Sequence, residues 1–325
     1  MIFFNEKQIE KLLPMQDCIA VMRNLFSLNL AEETFNPLRN VFHLPNSTGM
    51  LGLMPAVIKP YGVLGVKVLT VFLDNYKKGL SSHQGIVNLF ETETGQLLAS
   101  FDADSITAIR TAAVSALMTD LLAAENAKTL CLIGSGKQAE KHLEAIFLVR
   151  PIKKVNVWSP NYDNANAFVK KMSKTNMLTV GNPRNIEIKA FHTAQEAVHD
   201  ADIICTVTSA SHPVIFNDWL KERVHINAVG VSTKNKRELD DEIILNSDVY
   251  VDSYESAMSE AGDIILAANA ERSVAQIIKA DIHQVLMDKS IIDRSKKTVF
   301  KSLGLAIEDV AAAWHCWNKS NNPSV

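Results

Sequence analysis

From Thr129 to Ser253 the chain alternates short apolar runs with stretches whose apolar residues recur at helical spacing. TLCLI is followed by a helix, KKVNVW by NYDNANAFVKKM, and IEIKAF by TAQEAVHD; ADIICTVT, RVHINAVG and SDVYVDS complete the series. Six strands with helical crossovers predict a doubly wound parallel sheet, an α/β fold of the Rossmann kind. In such a sheet a ligand lies beyond the carboxyl ends of the strands, at the switch point beside the first one.

The residues before this region follow another pattern. A helix is expected over Gln16 to Glu33, GVLGVKVLTVFLDN reads as one or two strands, and GIVNLFETETGQLLASFD reads as a hairpin turning at Thr92 to Gly95. SITAIRTAAVSALMTDLLAAE then predicts a long helix capped near Ser105. Near the other end, VFKSLGLAIEDVAAAWHCW reads as a strand-like run, a glycine-containing turn and a helix returning to the first domain. The expected division is a β-rich domain of residues 1–117 with 300–325 and a nucleotide-binding domain of 118–299.

Between the first strand and its helix stands GSGKQA, Gly134 to Ala139, with GxGxxA spacing. Gly134 lets the backbone turn sharply, Gly136 lets a pyrophosphate approach, and Ala139 keeps the helix near the sheet. Ser135, Lys137 and Gln138 complete a turn whose N–H groups and partial positive charge suit phosphates. At the end of the second strand, where NAD enzymes place an acid on the ribose, the sequence is Trp158-Ser159-Pro160-Asn161. With no carboxylate to repel a 2′-phosphate and no arginine to hold one, NADPH is favoured modestly and NADH remains possible. Ser159 and Asn161 serve equally well as caps of the next helix. The fourth strand ends in Thr206-Val207-Thr208 and the fifth near Val229, both on the nicotinamide side of the crevice.

Composition narrows the partners. With 33 basic and 36 acidic residues and no long run of either sign, no footprint for nucleic acid or an anionic membrane exists. No apolar run approaches about 18 residues, and the amino terminus lacks a signal-peptide pattern. Cys18, Cys131, Cys205 and Cys316 are far apart in sequence, as expected of reduced thiols in a cytoplasmic protein. HExxH, CxxC and P-loop motifs are missing, and no metal site is expected.

Taken together, GxGxQA, SHQG, IRTAAVSA, INAVG and VFKSLGLAIEDVAAA resemble the ornithine cyclodeaminase/mu-crystallin family over nearly the whole chain. The resemblance implies a Rossmann domain and a dimerising β-rich domain built from both chain ends, with a small imino- or amino-acid substrate between them. It also implies that Arg39, Lys67 and Arg110 clamp the substrate carboxylate, with Lys67 and Arg110 at the catalytic centre. Read without it, Lys67 is equally a snorkelling strand lysine and Arg110 a partner of an acid such as Asp102 or Asp104. His83 in SSHQG matches a stretch facing substrate or cofactor, or is a loop histidine; Ser302, Leu303 and Gly304 match a segment closing over the nicotinamide, or Ser302 caps a helix.

One departure separates branches of the family. Where its cyclodeaminases carry an aspartate two residues beyond INAVG, this chain has Ser232. Serine cannot do a carboxylate's work on an amino group, so Ser232, beside the cofactor, resembles the ketimine reductase branch. The expected activity is NAD(P)H-dependent reduction of a cyclic imino acid such as 1-pyrroline-2-carboxylate or 1-piperideine-2-carboxylate, with Glu255 or Glu260 a candidate to balance the iminium charge. Ornithine cyclodeamination, amino-acid dehydrogenation and non-catalytic ligand binding are the alternatives.

Overall fold

The computed structural model describes residues 2–45, 49–175 and 186–322. By contacts the chain divides into two compact units, Met1–Ala113 with Gly304–Val325, and Val114–Leu303.

Among its described residues the first unit is a mainly antiparallel sheet ordered Phe3–Phe4, Leu97–Asp102, His83–Glu91, Val63–Val71, Met50–Ile58, Thr34–Phe35, with Asn40–His43 also on Met50–Ile58. The helix Ala306–Asn321 packs across Met50–Ile58, Val63–Val71 and the helix Met15–Phe26. Met50–Ile58 escapes the sequence pattern because Pro55 interrupts it. In the sheet Pro55 falls between the part paired with Asn40–His43 and the part paired with Thr34–Phe35, where a missing N–H is tolerated. The helix expected over Gln16 to Glu33 is two, Met15–Phe26 and Leu30–Glu33; the Ser27 hydroxyl bonds back to the Arg23 carbonyl where the first one ends. The long helix spans Ala103–Leu122, and its cap is Asp102, not Ser105: the Asp102 carboxylate accepts from both the backbone N–H and the hydroxyl of Ser105. This helix is long and apolar enough to cross a membrane, and most of it is buried within the protein.

Among its described residues the second unit has a parallel sheet ordered Glu187–Ala190, Lys154–Trp158, Thr129–Ile133, Ile203–Thr206, His225–Ala228, Thr298–Lys301, Asp248–Val251, Ile278–Asp281. Chain order reverses between Thr129–Ile133 and Ile203–Thr206, which is the switch point. Thr298–Lys301 inserts between the fifth and sixth expected strands, so residues 300–303 belong with this unit and not with the first. Thr129–Ile133, Ile203–Thr206 and His225–Ala228 are buried at every position, as a sheet covered on both faces requires.

Candidate active site

In the second unit the turn after Thr129–Ile133 is built on Gly134, whose φ is 121°. A side-chain carbon there would lie 2.8 Å from the Val207 carbonyl oxygen, so glycine is required both for the backbone angle and for the approach of the neighbouring strand. Gly136 is the N-cap of the helix Lys137–Val149, no side chain caps it, and a Cβ on it would meet nothing within 4 Å. The first N–H groups of that helix, on Lys137, Gln138 and Ala139, have no carbonyl of their own helix to bond. Gln138 presents a buried Oε1 with no hydrogen-bond partner, and Ala139 is fully buried against the sheet. A Cβ-free, open cradle at a helix N-terminus fits a dinucleotide pyrophosphate.

The neighbouring segments are fixed by their own hydrogen bonds. Ser159 is buried, and Asn161 caps Tyr162–Met172 by accepting from the Asp163 N–H. Thr206 is fully buried, with its hydroxyl on Glu238 Oε2 at 2.9 Å, while Thr208 gives its hydroxyl and N–H to Glu238 Oε1 at 2.7 and 2.8 Å. Val229 donates its N–H to the Thr206 carbonyl. Ser232 is half-buried in the segment that follows. Ser302 is buried with an unbonded hydroxyl, and the Leu303 N–H donates to Asp252. Glu255 lies exposed on the helix Tyr254–Glu260, and Glu260 is half-buried at its end.

In the first unit Arg39, Lys67 and Arg110 converge on one segment of chain, Gly304 to Asp309. Lys67 Nζ sits 2.6 Å from Asp309 Oδ2. Arg110 Nε reaches Asp309 Oδ1 at 3.0 Å and Nη1 reaches Glu308 Oε2 at 2.7 Å. Arg39 Nη2 donates to the Gly304 carbonyl at 3.0 Å. Gly304 has φ 78°, and a side-chain carbon on it would lie 2.6 Å from Arg110 Nη1. The glycine therefore leaves the room that the guanidinium occupies.

Lys67, Arg110, Glu308 and Asp309 are all buried, at 3, 4, 0 and 0% exposure, so each charge depends on the others. Burial pushes the Lys67 ammonium down to about 8 even though Asp309 opposes the shift. For Asp309 burial raises, but Arg110 and Lys67 outweigh it and hold the carboxyl below its ordinary value. Arg110 is thus ion-paired with Glu308 and Asp309, where the sequence alone offered an acid such as Asp102 or Asp104. The two acids stand side by side in an otherwise apolar stretch, AIEDVAAA, at the start of the helix, and that isolation was the available signal. His83, opening the strand His83–Glu91, is exposed with its ring Nδ1 2.9 Å from Ser82 Oγ.

The switch-point sheet, the glycine cradle and the second, β-rich unit define a dinucleotide-dependent oxidoreductase. Residues 2–323 match the model of the ornithine cyclodeaminase/mu-crystallin family. The chain belongs to that family. It is 38% identical over 277 residues to the mouse ketimine reductase mu-crystallin, covering 85% of this chain and 82% of the mouse protein. It is 36% identical over 323 residues to a delta(1)-pyrroline-2-carboxylate reductase of Bacillus cereus (strain ZK / E33L), covering 98 and 97%. The Thermococcus litoralis delta(1)-pyrroline-2-carboxylate reductase, solved in complex with NADH and L-proline, superposes with a TM-score of 0.91 at 33% identity, covering 100% of this chain and 99% of that one.

Proposed function

We propose that this chain reduces small cyclic imino acids, taking 1-pyrroline-2-carboxylate or 1-piperideine-2-carboxylate to L-proline or L-pipecolate with NAD(P)H. The observation that carries the reading is the convergence of Arg39, Lys67 and Arg110 on Gly304 to Asp309, in a family whose similar members are ketimine and pyrroline-carboxylate reductases.

The bound dinucleotide supplies hydride. The first unit's cations hold the substrate carboxylate, with the guanidinium fork of Arg110, fixed in plane by its two acids, offering directed N–H donors. A protonated imine is already electrophilic, so orientation is the main demand on the protein. Ser232 in the place of a carboxylate supports reduction over ammonia release. The segment Ser159 to Asn161, lacking an acid, supports a modest preference for NADPH over NADH. Phe35 and Phe42, exposed at 59 and 53% on the first unit's outer strands, support association as a homodimer, and four buried free cysteines suit a reducing cytoplasm.

A panel of cyclic imino acids and L-amino acids assayed with each cofactor tests the proposal. Ketimine acids should be reduced, with NADPH slightly ahead, and L-ornithine with catalytic NAD+ or NADP+ should release ammonia only at background. Ornithine turnover at rates comparable to imine reduction would replace the reductase reading by cyclodeamination.

A pH test addresses Lys67. Its ammonium is present below about 8 and lost above it, so an anion that needs this charge binds less well as pH rises. In the presence of NADPH, the Kd of a carboxylate inhibitor without a titrating group in that range, such as pyrrole-2-carboxylate, should rise by up to about tenfold per pH unit above that value. Lys67→Arg should flatten the profile; a flat wild-type profile would remove Lys67 from the clamp.

A further inference from the structure

Glu238 lies in none of the motifs that point to the cofactor, yet it is fully buried at the carboxyl ends of the second unit's strands. Its two oxygens take four donors. Oε1 accepts the N–H and hydroxyl of Thr208; Oε2 accepts the Thr206 hydroxyl and the Gly230 N–H, the latter at 2.8 Å. Thr206 ends the strand Ile203–Thr206, and Gly230 lies just past the adjacent strand His225–Ala228, so one carboxylate ties two neighbouring strand ends together. Burial pushes its carboxyl up, while the charge of Lys301 and the hydrogen bonds from Thr208 oppose the shift.

The carboxylate is itself anchored. The N–H groups of Glu238 and Leu239 donate to Asp263 Oδ1 at 2.7 and 2.9 Å. Asp263 Oδ2 pairs at 2.8 Å with Lys301, and neither side chain is exposed. Lys301 ends the next strand, Thr298–Lys301, and its Nζ also donates to the Val231 carbonyl. The chain from Val229 to Leu239 is thereby latched to three adjacent strands.

In a doubly wound sheet the strands on the two sides of the switch point serve the two nucleotide halves. The pyrophosphate cradle and the Ser159 turn belong to the Thr129–Ile133 and Lys154–Trp158 side. The latch belongs wholly to the other. We infer that Glu238 is a positioning residue for the nicotinamide half of the dinucleotide, setting the backbone of Thr208 and Gly230 through its four hydrogen bonds. The inference rests on the dinucleotide-dependent reading above.

Glu238→Gln tests it, because an amide presents one acceptor oxygen and must turn N–H donors toward either the Thr208 or the Gly230 N–H. Binding of NADH and of ADP-ribose, which lacks nicotinamide, is measured by calorimetry on the full chain. Glu238→Gln should weaken NADH about tenfold or more and leave ADP-ribose within about twofold. Thr206→Val, which removes one buried donor with little change of shape, should weaken NADH in the same selective way by about threefold and carries the test if the first variant does not fold. Equal weakening of both ligands, or no change in NADH, would overturn the inference. Wild-type protein binding neither ligand would overturn the dinucleotide reading itself.

Discussion

Arg110→Ala is expected to lower folding stability by about 3–5 kcal/mol, the largest loss at any single side chain of the first unit's site. The guanidinium is the shared partner of Glu308 and Asp309, both fully buried, and its loss removes an ion pair from each, leaving Asp309 its pair with Lys67. Urea denaturation measures this directly. Among molecules that stay folded, kcat/KM for the imino acid should fall by a further ~2–4 kcal/mol, because the substrate carboxylate loses a charge-assisted donor, while NADPH affinity holds. Normal activity per folded molecule would make Arg110 a purely structural cation. Arg110→Lys should rescue poorly, since one ammonium cannot meet Glu308 and Asp309 in the geometry of a planar fork.

Lys301→Met is expected to be comparably damaging in the second unit, at about 3–5 kcal/mol. Lys301 and Asp263 are both fully buried, and the substitution strands the carboxylate whose other oxygen holds the Glu238 and Leu239 N–H groups. Adding Asp263→Asn should recover a large part of the loss: the amide oxygen still accepts from those N–H groups, and the unpaired charge is gone. A double variant no more stable than Lys301→Met, by denaturant midpoint, would mean that Lys301 contributes through packing and not through charge.

The fold was legible where physical causes are local. The fully apolar runs TLCLI and ADIICTVT announce strands covered on both faces, and the glycine at position 134 answers to a turn that only two neighbouring strands explain. Met50–Ile58 was hidden by Pro55, whose tolerance depends on a gap between two short partner strands. Ile278–Asp281 was hidden because a four-residue edge strand has too little pattern to read. Arg39, Lys67 and Arg110 were nameable from the family motifs, but the counterions of Lys67 and Arg110 were not. Arg110 and Glu308 are 198 residues apart, and nothing local to either one fixes their meeting. Glu238 was missed for a similar reason: in KRELDDE it reads as one acid in a charged surface run, and only the closing of two strands around it reveals a buried group.

The Gly304 to Asp309 segment also bears on the order in which the protein is made. The first unit is discontinuous, and the acids that neutralise Lys67 and Arg110 are translated after the whole of the second unit. A nascent chain can bury the apolar core of the second unit as one uninterrupted stretch, but its first 113 residues carry two cations that cannot enter a low-dielectric interior uncompensated. The amino-terminal sheet must therefore wait on the ribosome in an open or partly hydrated form until the final helix emerges. The ion pairs of Lys67 and Arg110 thus form only after the second unit has been synthesised.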